Sequence, residues 1–352
     1  MLIRMLIDSL GSGGAQRQFV YLADEFARLG NVVEVGYYHG AEFHKPSNPA
    51  VFCSVLSGES AVARKVAALR FVGSARADAV VSFLDLPNLI NCCGRALARR
   101  PLRIVSERSV DLSGISFRRR IALKSYCFAD RIVTNSRTQF ERLKSIGYGD
   151  KAVLIRNMVD TERFKPAVVR KSDLPLKGVC LASYQTLKNP LLPAQWLIRD
   201  NRAQVELHWF GNASSGTLLE NFEEAKRLEA SSGGRMHYYP GAVDAAEVYQ
   251  NADFVYLPSF YEGFPNVICE AMACGLPVVC SKVCDNPDIV RDGLNGFLFD
   301  PSDPMSFGNA IMQLVSLSED DRCQMGLRNI ARARELFSAQ SFSQSWAELL
   351  EK

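Results

Sequence analysis

The stretch from Phe254 to Val279 restricts the fold more than any other part of the chain. Phe254-Val-Tyr-Leu257 is an apolar, β-rich run that reads as a buried strand, and Val278-Val-Cys280 reads as the start of another. Between them lie a loop containing Gly263 and Pro265, then the apolar run Val267-Ile-Cys-Glu-Ala-Met-Ala273, then Gly275 and Pro277. Pro265 suits the first position of a helix, where no N–H is needed. Gly275 suits the residue just past its end, and Pro277 blocks continuation. The unit is therefore strand, loop, helix, strand, the repeating element of a parallel α/β sheet.

The same alternation runs through the 352 residues, a length comfortable for two domains. In the first half, strands are expected at 3–10, 32–38, 51–56, 79–83, 103–106, 131–135 and 152–155, with helices at 15–29, 87–98 and 117–129. In the second half, strands are expected at 178–183, 205–210, 236–239, 254–257 and from 278. Helices are expected there at 193–200, 215–230, 245–251, 303–317, 320–336 and 341–350. The charged segment 160–175, bracketed by prolines, reads as a linker. The expected fold class is α/β: two doubly wound, Rossmann-like domains, 1–165 and 166–352, facing across a cleft. The last helix is free to pack back on the first domain.

In open parallel sheets, ligands collect beyond the carboxyl ends of strands, where loops and helix starts meet. The helix after Pro265 offers free N–H groups and partial positive charge, a seat for phosphate. Glu262 on its loop and Glu270 in its early turns flank that seat, and carboxylates accept hydrogen bonds from sugar hydroxyls. Such a pair also occurs as dipole-favoured surface charge. The site fits a sugar joined to a nucleotide through phosphates.

Composition is that of a globular protein, with 47% hydrophobic and 22% charged residues and no run long and apolar enough to span a membrane. The start, Met1-Leu-Ile-Arg-Met-Leu-Ile-Asp8, is too short and too charged for a signal peptide and reads as a strand. With no secretion signal, the ten cysteines point to reduced thiols in a cytosol. Cys269, Cys274, Cys280 and Cys284 read as small buried hydrophobes rather than a metal site. No His/Asp metal cluster is visible, and no metal or other cofactor is expected. Residues 1–165 carry 25 Lys and Arg against 15 Asp and Glu, the remainder 16 against 23. A basic first half suggests an anionic partner. Its densest cluster, Arg118, Arg119, Arg120 and Lys124 with Phe117, Ile121 and Leu123 interleaved, suits anionic lipid headgroups or a phosphorylated lipid; a solvated helix face is the alternative. No nucleic-acid motif is present and the pI of about 8.3 is modest, so nucleic acid is not expected.

Four motifs together resemble glycosyltransferase family 4, retaining enzymes of the GT-B fold, and bacterial surface-polysaccharide transferases in particular. They are Phe260 to Val279; Asn157-Met-Val-Asp-Thr-Glu-Arg-Phe-Lys-Pro166; Ala182-Ser-Tyr-Gln-Thr-Leu-Lys-Asn189; and Gly13-Gly14 opening the first helix. The resemblance implies a retaining glycosyltransferase (hexosyl or N-acetylhexosaminyl) moving a sugar from a nucleotide-sugar, UDP-linked, to a hydroxyl of a saccharide acceptor. That acceptor would be a polyprenyl-diphosphate-linked oligosaccharide on the cytoplasmic face of the cell membrane. Glu270 would hold ribose hydroxyls and Glu262 those of the transferred sugar. Backbone around Gly263, Phe264, Pro265, Asn266 and Val267, with Lys188, would stabilise the departing diphosphate. Gly13 and Gly14 would face the donor phosphates, and Val243, in the loop Pro240-Gly-Ala-Val243, would lie at the base. Glu107 and Arg108 are the candidates for contacting the acceptor, in place of the histidine many relatives carry; a structural salt bridge is the alternative.

Two departures stand out. Ser183 occupies the place of the family's arginine, which leaves Lys188 as the cation at the leaving group. Gln16 stands where a dinucleotide fingerprint needs glycine, which argues against a nicotinamide site. A UDP-sugar epimerase of similar fold and a non-catalytic nucleotide-sugar-binding protein are the alternatives.

Overall fold

The computed structural model describes residues 1–11, 13–40, 42–108, 117–167, 174–200 and 202–351, with the side chain of Arg118 outside that set. Ser12 of the glycine loop, Ser109, residues 168–173 of the expected linker and Lys352 also lie outside the described residues. The chain forms two compact units, one of Met1–Met158 with Ala339–Lys352, the other of Val159–Ser338.

The first unit holds a wholly parallel sheet of β1 (Leu2–Ile7), β2 (Val32–Tyr37), β3 (Val51–Val55), β4 (Ala79–Phe83), β5 (Leu102–Glu107), β6 (Arg131–Thr134) and β7 (Ala152–Leu154). Its order is β3-β2-β1-β4-β5-β6-β7. The second unit repeats the scheme with β8 (Leu176–Leu181), β9 (Val205–Gly211), β10 (Met236–Pro240), β11 (Phe254–Leu257), β12 (Val278–Ser281) and β13 (Gly296–Phe299), ordered β10-β9-β8-β11-β12-β13. Each sheet reverses its strand order between its first and fourth strands, so each has a switch point at β1/β4 or β8/β11 where loops diverge. The central strands are apolar on both faces: every residue of β4, β11 and β12 is buried.

The expected boundary between 165 and 166 shifts to between Met158 and Val159. Gln18 of the first unit brackets Met158, donating to its carbonyl at 2.7 Å and accepting its N–H at 2.9 Å. The next residue, Val159, donates to Phe337 O at 2.9 Å in the second unit. The C-terminal helix Ala339–Leu350 belongs to the first unit, where buried Trp346 lies over Phe83 with centroids 6.2 Å apart and meets Phe26 edge-on at 6.0 Å.

The longer elements that escaped the sequence reading are the two helices Ala61–Val72 and Arg137–Ser145, and β13; the single turns Thr186–Lys188 and Asn286–Ile289 escaped it too. Each of the two helices buries only two residues, so neither shows a clear apolar stripe. Strand β1 ends at Ile7 rather than Leu10, which makes a lone bridge to Glu42.

Candidate functional site

At the carboxyl ends of β8 and β11 the chain leaves the sheet in two loops that are stitched together. The turn Thr186–Lys188 after β8 ends on Asn189 in the left-handed region (φ +56°), whose side chain donates to Pro301 O at 3.1 Å. Phe260 N–H donates to Leu187 O at 2.8 Å, tying the loop after β11 to that turn. The residues before the turn are fixed by β9: Trp209 Nε1 donates to Ala182 O at 2.7 Å, and Gly211 lets the two backbones approach. A Cβ on Gly211 would lie 1.9 Å from Ala182 O.

The stitching brings Lys188 to Glu262. The ammonium donates to both carboxylate oxygens, at 2.7 and 2.8 Å. Ser259 Oγ donates to Oε1 at 2.6 Å, and Ser259 is itself held through its carbonyl by Ser281 Oγ at 2.6 Å. The N–H of Glu262 points to Cys284 Sγ at 3.5 Å. The Glu262 side chain is thus buried, oriented and charge-compensated, whereas Lys188 keeps some exposure.

Beside this pair begins the helix Asn266–Ala273. Pro265 precedes it as the cap residue rather than filling its first turn, and supplies no side-chain cap. Ile268 and Cys269 N–H return to Pro265 O at 3.0 and 3.2 Å. Among the described residues no oxygen accepts the N–H of Phe264 or Val267. Gly275 sits just past the helix in the left-handed region (φ +71°), as its place in the sequence requires. Lys188, Glu262, Phe264, Pro265, Asn266 and Val267 line one hollow of about 240 Å³, with Ser183 and the β8 and β11 ends completing it. Among the described residues its lining contributes a single cation, Lys188, and no arginine. Gly263 adjoins it, and a Cβ there would meet nothing within 4 Å.

The other sequence candidates fall elsewhere. Glu270 lies one helical turn on, buried, and is not among the residues lining the hollow. Val243 lines a separate hollow with Lys177, Phe210, Asp244 and Glu247. Gly13 and Gly14 open the helix Gly14–Arg28 in the first unit, Gly13 as an extended cap residue without a side-chain cap bond. Glu107 ends β5 in a buried ion cluster: Arg119 Nη2 donates to Oε1 at 2.5 Å and Tyr126 Oη to Oε2 at 2.6 Å, while Arg119 Nη1 reaches Asp85 at 3.1 Å. Burial pushes the Glu107 carboxyl up, and Arg119 and Tyr126 pull it back. Its oxygens are engaged by the fold, so the salt bridge describes Glu107 better than an acceptor contact. Arg119 must likewise be withdrawn from the lipid-facing set, because its guanidinium turns inward to Glu107 and Asp85. Arg120 and Lys124 are exposed beside Phe117 and Ile121, and the side chain of Arg118 is outside the described residues. Arg108 stacks on Phe83 at 4.3 Å and donates to Ser106 Oγ at 2.7 Å and to Asn157; burial lowers its pKa to about 9, and its Nη2 has no hydrogen-bond partner.

The supports of Glu262 (Ser259, Ser281 and Cys284) were not foreseen; their hydroxyls and thiol come from the loop after β11, the end of β12 and the segment beyond it, which meet only in the fold. Cys269, Cys274 and Cys280 are buried as expected, while Cys284 is half-buried. A group of Glu206, His208 and His237 on β9 and β10 also departs from the expectation that no such cluster exists. No helix among the described residues is long and apolar enough to cross a membrane.

Comparison with known proteins follows the same division. Residues 12–163 match the model of Glycosyltransferase Family 4, and residues 189–316 that of Glycosyl transferases group 1. A D-inositol 3-phosphate glycosyltransferase of Mycobacterium leprae (strain TN) is 31% identical over 225 residues, 60% of this chain and 51% of that protein. O-antigen chain mannosyltransferase B of Escherichia coli is 48% identical over 90 residues, 26% of this chain and 21% of its own. The chain thus spans about half the length of the inositol-phosphate enzymes it matches. Among solved structures, Anabaena HepE in complex with UDP and glucose superposes with a TM-score of 0.85 at 19% identity, covering 100% of this chain and 99% of that one. Sucrose-phosphate synthase from Thermosynechococcus elongatus gives 0.80 at 17%, covering 100% and 98%. At such identities the likeness speaks for the fold. With a family model matched on each half and two sheets of Rossmann order, the chain belongs to the family-4 type of glycosyltransferases and has the GT-B fold.

Proposed function

We propose that the chain transfers a sugar from a nucleotide-sugar donor, UDP-linked, to a hydroxyl of a saccharide acceptor, with retention at the anomeric carbon. The observation that carries this reading is the hollow at the β8/β11 switch point. There an uncapped helix start, a lysine and a fixed glutamate converge within one 240 Å³ space. The N–H groups of Phe264 and Val267 and the Lys188 ammonium would receive the diphosphate, and Glu262 the hydroxyls of the transferred sugar. The diphosphate draws the ammonium away from Glu262 and frees a carboxylate oxygen for the sugar. In the transfer, the acceptor oxygen bonds to the anomeric carbon on the face from which the diphosphate leaves. The broken C–O bond's electron pair stays on phosphate, and the adjacent phosphate oxygen takes the acceptor's proton. Lysine and helix start perform the cation's role, so the transfer needs no metal.

That HepE was solved with UDP and glucose supports the donor class, and the O-antigen mannosyltransferase segment supports a surface-glycan acceptor. A polyprenyl-diphosphate-linked oligosaccharide fits a first unit whose helix Phe117–Ser125 exposes Arg120, Lys124, Phe117 and Ile121, a mixture of basic and apolar side chains suited to an anionic lipid surface. The enzyme would then work at the cytoplasmic face of the cell membrane.

The test is a panel of UDP-, GDP- and ADP-sugars ranked by thermal shift, then incubated with and without saccharide acceptors. Selective UDP-sugar binding with acceptor-dependent release of UDP supports the reading. Isomerised sugar from donor alone would indicate an epimerase, and binding without turnover on any acceptor a non-catalytic role.

A further inference from the structure

The second unit carries a cluster that plays no part in the hollow described above. Period-two alternation places Glu206 and His208 on one face of β9, and the parallel register pairs His208 directly with His237 on the edge strand β10. The two imidazoles stack with centroids 4.8 Å apart, the spacing of neighbouring strands, and the next register pair on that face, Phe210 and Tyr239, stacks at the same 4.8 Å.

One carboxylate oxygen, Glu206 Oε1, lies 3.0 Å from His208 Nε2 and 3.1 Å from His237 Nε2. His208 is only 7% exposed, and its Nε2 is buried with no hydrogen bond of acceptable direction. The buried ring nitrogen thus faces a carboxylate oxygen at close range with no aligned hydrogen bond between them, and the three donor atoms all lie within 4.8 Å of one another. A cation held between them would give each an electrostatic partner.

We propose that Glu206, His208 and His237 form a binding site for a divalent transition ion of the zinc class, with water completing the coordination. Donor atoms 3.0–3.1 Å apart can both lie about 2.0–2.2 Å from one zinc ion. Two imidazoles and a carboxylate suit zinc, cobalt or nickel rather than magnesium or calcium. Tyr239 Oη, 3.4 Å from His208 Nδ1, is placed to take the outer N–H and hold the ring with Nε2 inward. Glu206 and His237 are partly exposed, which gives an ion a way in. The site lies at a sheet edge, shares no residue with the hollow at Lys188, and stands or falls independently of the transfer reaction.

Because ten cysteines could also bind zinc, cobalt is the discriminating probe. The 352-residue chain, freed of metal by chelator, is titrated with Co²⁺ and the visible and near-ultraviolet spectrum recorded. It is then back-titrated with Zn²⁺, and the series repeated with His237→Ala and Glu206→Gln, both at partly exposed positions. The expected result is one equivalent of cobalt with d–d bands and no sulfur-to-cobalt charge transfer, displaced by zinc but not magnesium, and weakened at least about tenfold in each variant. No binding, a sulfur charge-transfer band alone, or binding unchanged in both folded variants would overturn the proposal. Circular dichroism establishes that the variants are folded, and if either is not, His237→Gln takes its place.

Discussion

In the free protein the Lys188 ammonium and the Glu262 carboxylate neutralise each other, so each is held in place by the group it must release when a donor arrives. Replacing Lys188 with Gln removes the cation at the leaving group, and turnover should fall by about 10²-fold. The same change leaves a buried carboxylate with Ser259 as its remaining donor, so stability should drop by about 1–3 kcal/mol. Turnover assays beside urea denaturation separate the two effects. Glu262→Ala should abolish transfer while UDP affinity stays within a few-fold. Equal loss of both would show that Glu262 does not act on the sugar alone. Gly263→Ala is a cleaner probe. Its Cβ meets no protein atom within 4 Å, so stability should stay within about 0.5 kcal/mol, yet UDP-sugar binding should weaken because the methyl group enters the space of the donor. Calorimetric titration alongside thermal melting reads both.

Strand packing decides whether these side chains meet at all. Gly211→Ala puts a Cβ 1.9 Å from Ala182 O, a backbone atom that cannot step aside, and should cost about 1–3 kcal/mol in a denaturant titration. At the β9/β10 edge, His208 stays neutral when folded but has an ordinary pKa when unfolded. Burial is the main cause, Lys177 and His237 add to it, and Glu206 works against it. The unfolded chain therefore binds the extra proton first. The stability tied to His208 is fully present above about pH 6.5 and is lost as pH falls toward about 4. Melting temperatures from pH 7 to 4.5 should fall less steeply in His208→Gln than in the natural chain. Trp346→Ala should destabilise the first unit by about 3–5 kcal/mol, since the indole is wholly buried among Phe26, Phe83 and Phe342.

The strand–loop–helix unit around Glu262 could be read from the sequence because its strand, proline, glycine and second strand are local signals. The helix end at Gly275 falls where they placed it, and its start shifts by one residue. Less legible were contacts set by register or by loops distant in sequence. His208 and His237 are neighbours only because β10 pairs with β9, and Ser259 is braced by Ser281 across two strands. For Glu107 the sequence left an acceptor contact and a structural salt bridge open, and the packing of the helix Phe117–Ser125 favours the salt bridge by closing Arg119 on it.

The protein as a whole carries two sheets of the same strand order, and the second holds the lysine, glutamate and helix start assigned here to the donor's diphosphate and sugar. A UDP-sugar at about a hundred times its Kd should raise stability by about 2.7 kcal/mol, visible as a rise in melting temperature. Substitution of Lys188 should shrink that rise. The most direct measurement is a crystal structure with a UDP-sugar bound. It should show diphosphate oxygens within hydrogen-bond distance of the Phe264 and Val267 N–H groups, Lys188 turned from Glu262 toward phosphate, and Glu262 on the sugar hydroxyls. A diphosphate bound away from the start of the Asn266–Ala273 helix, with the Lys188–Glu262 pair intact, would contradict the account.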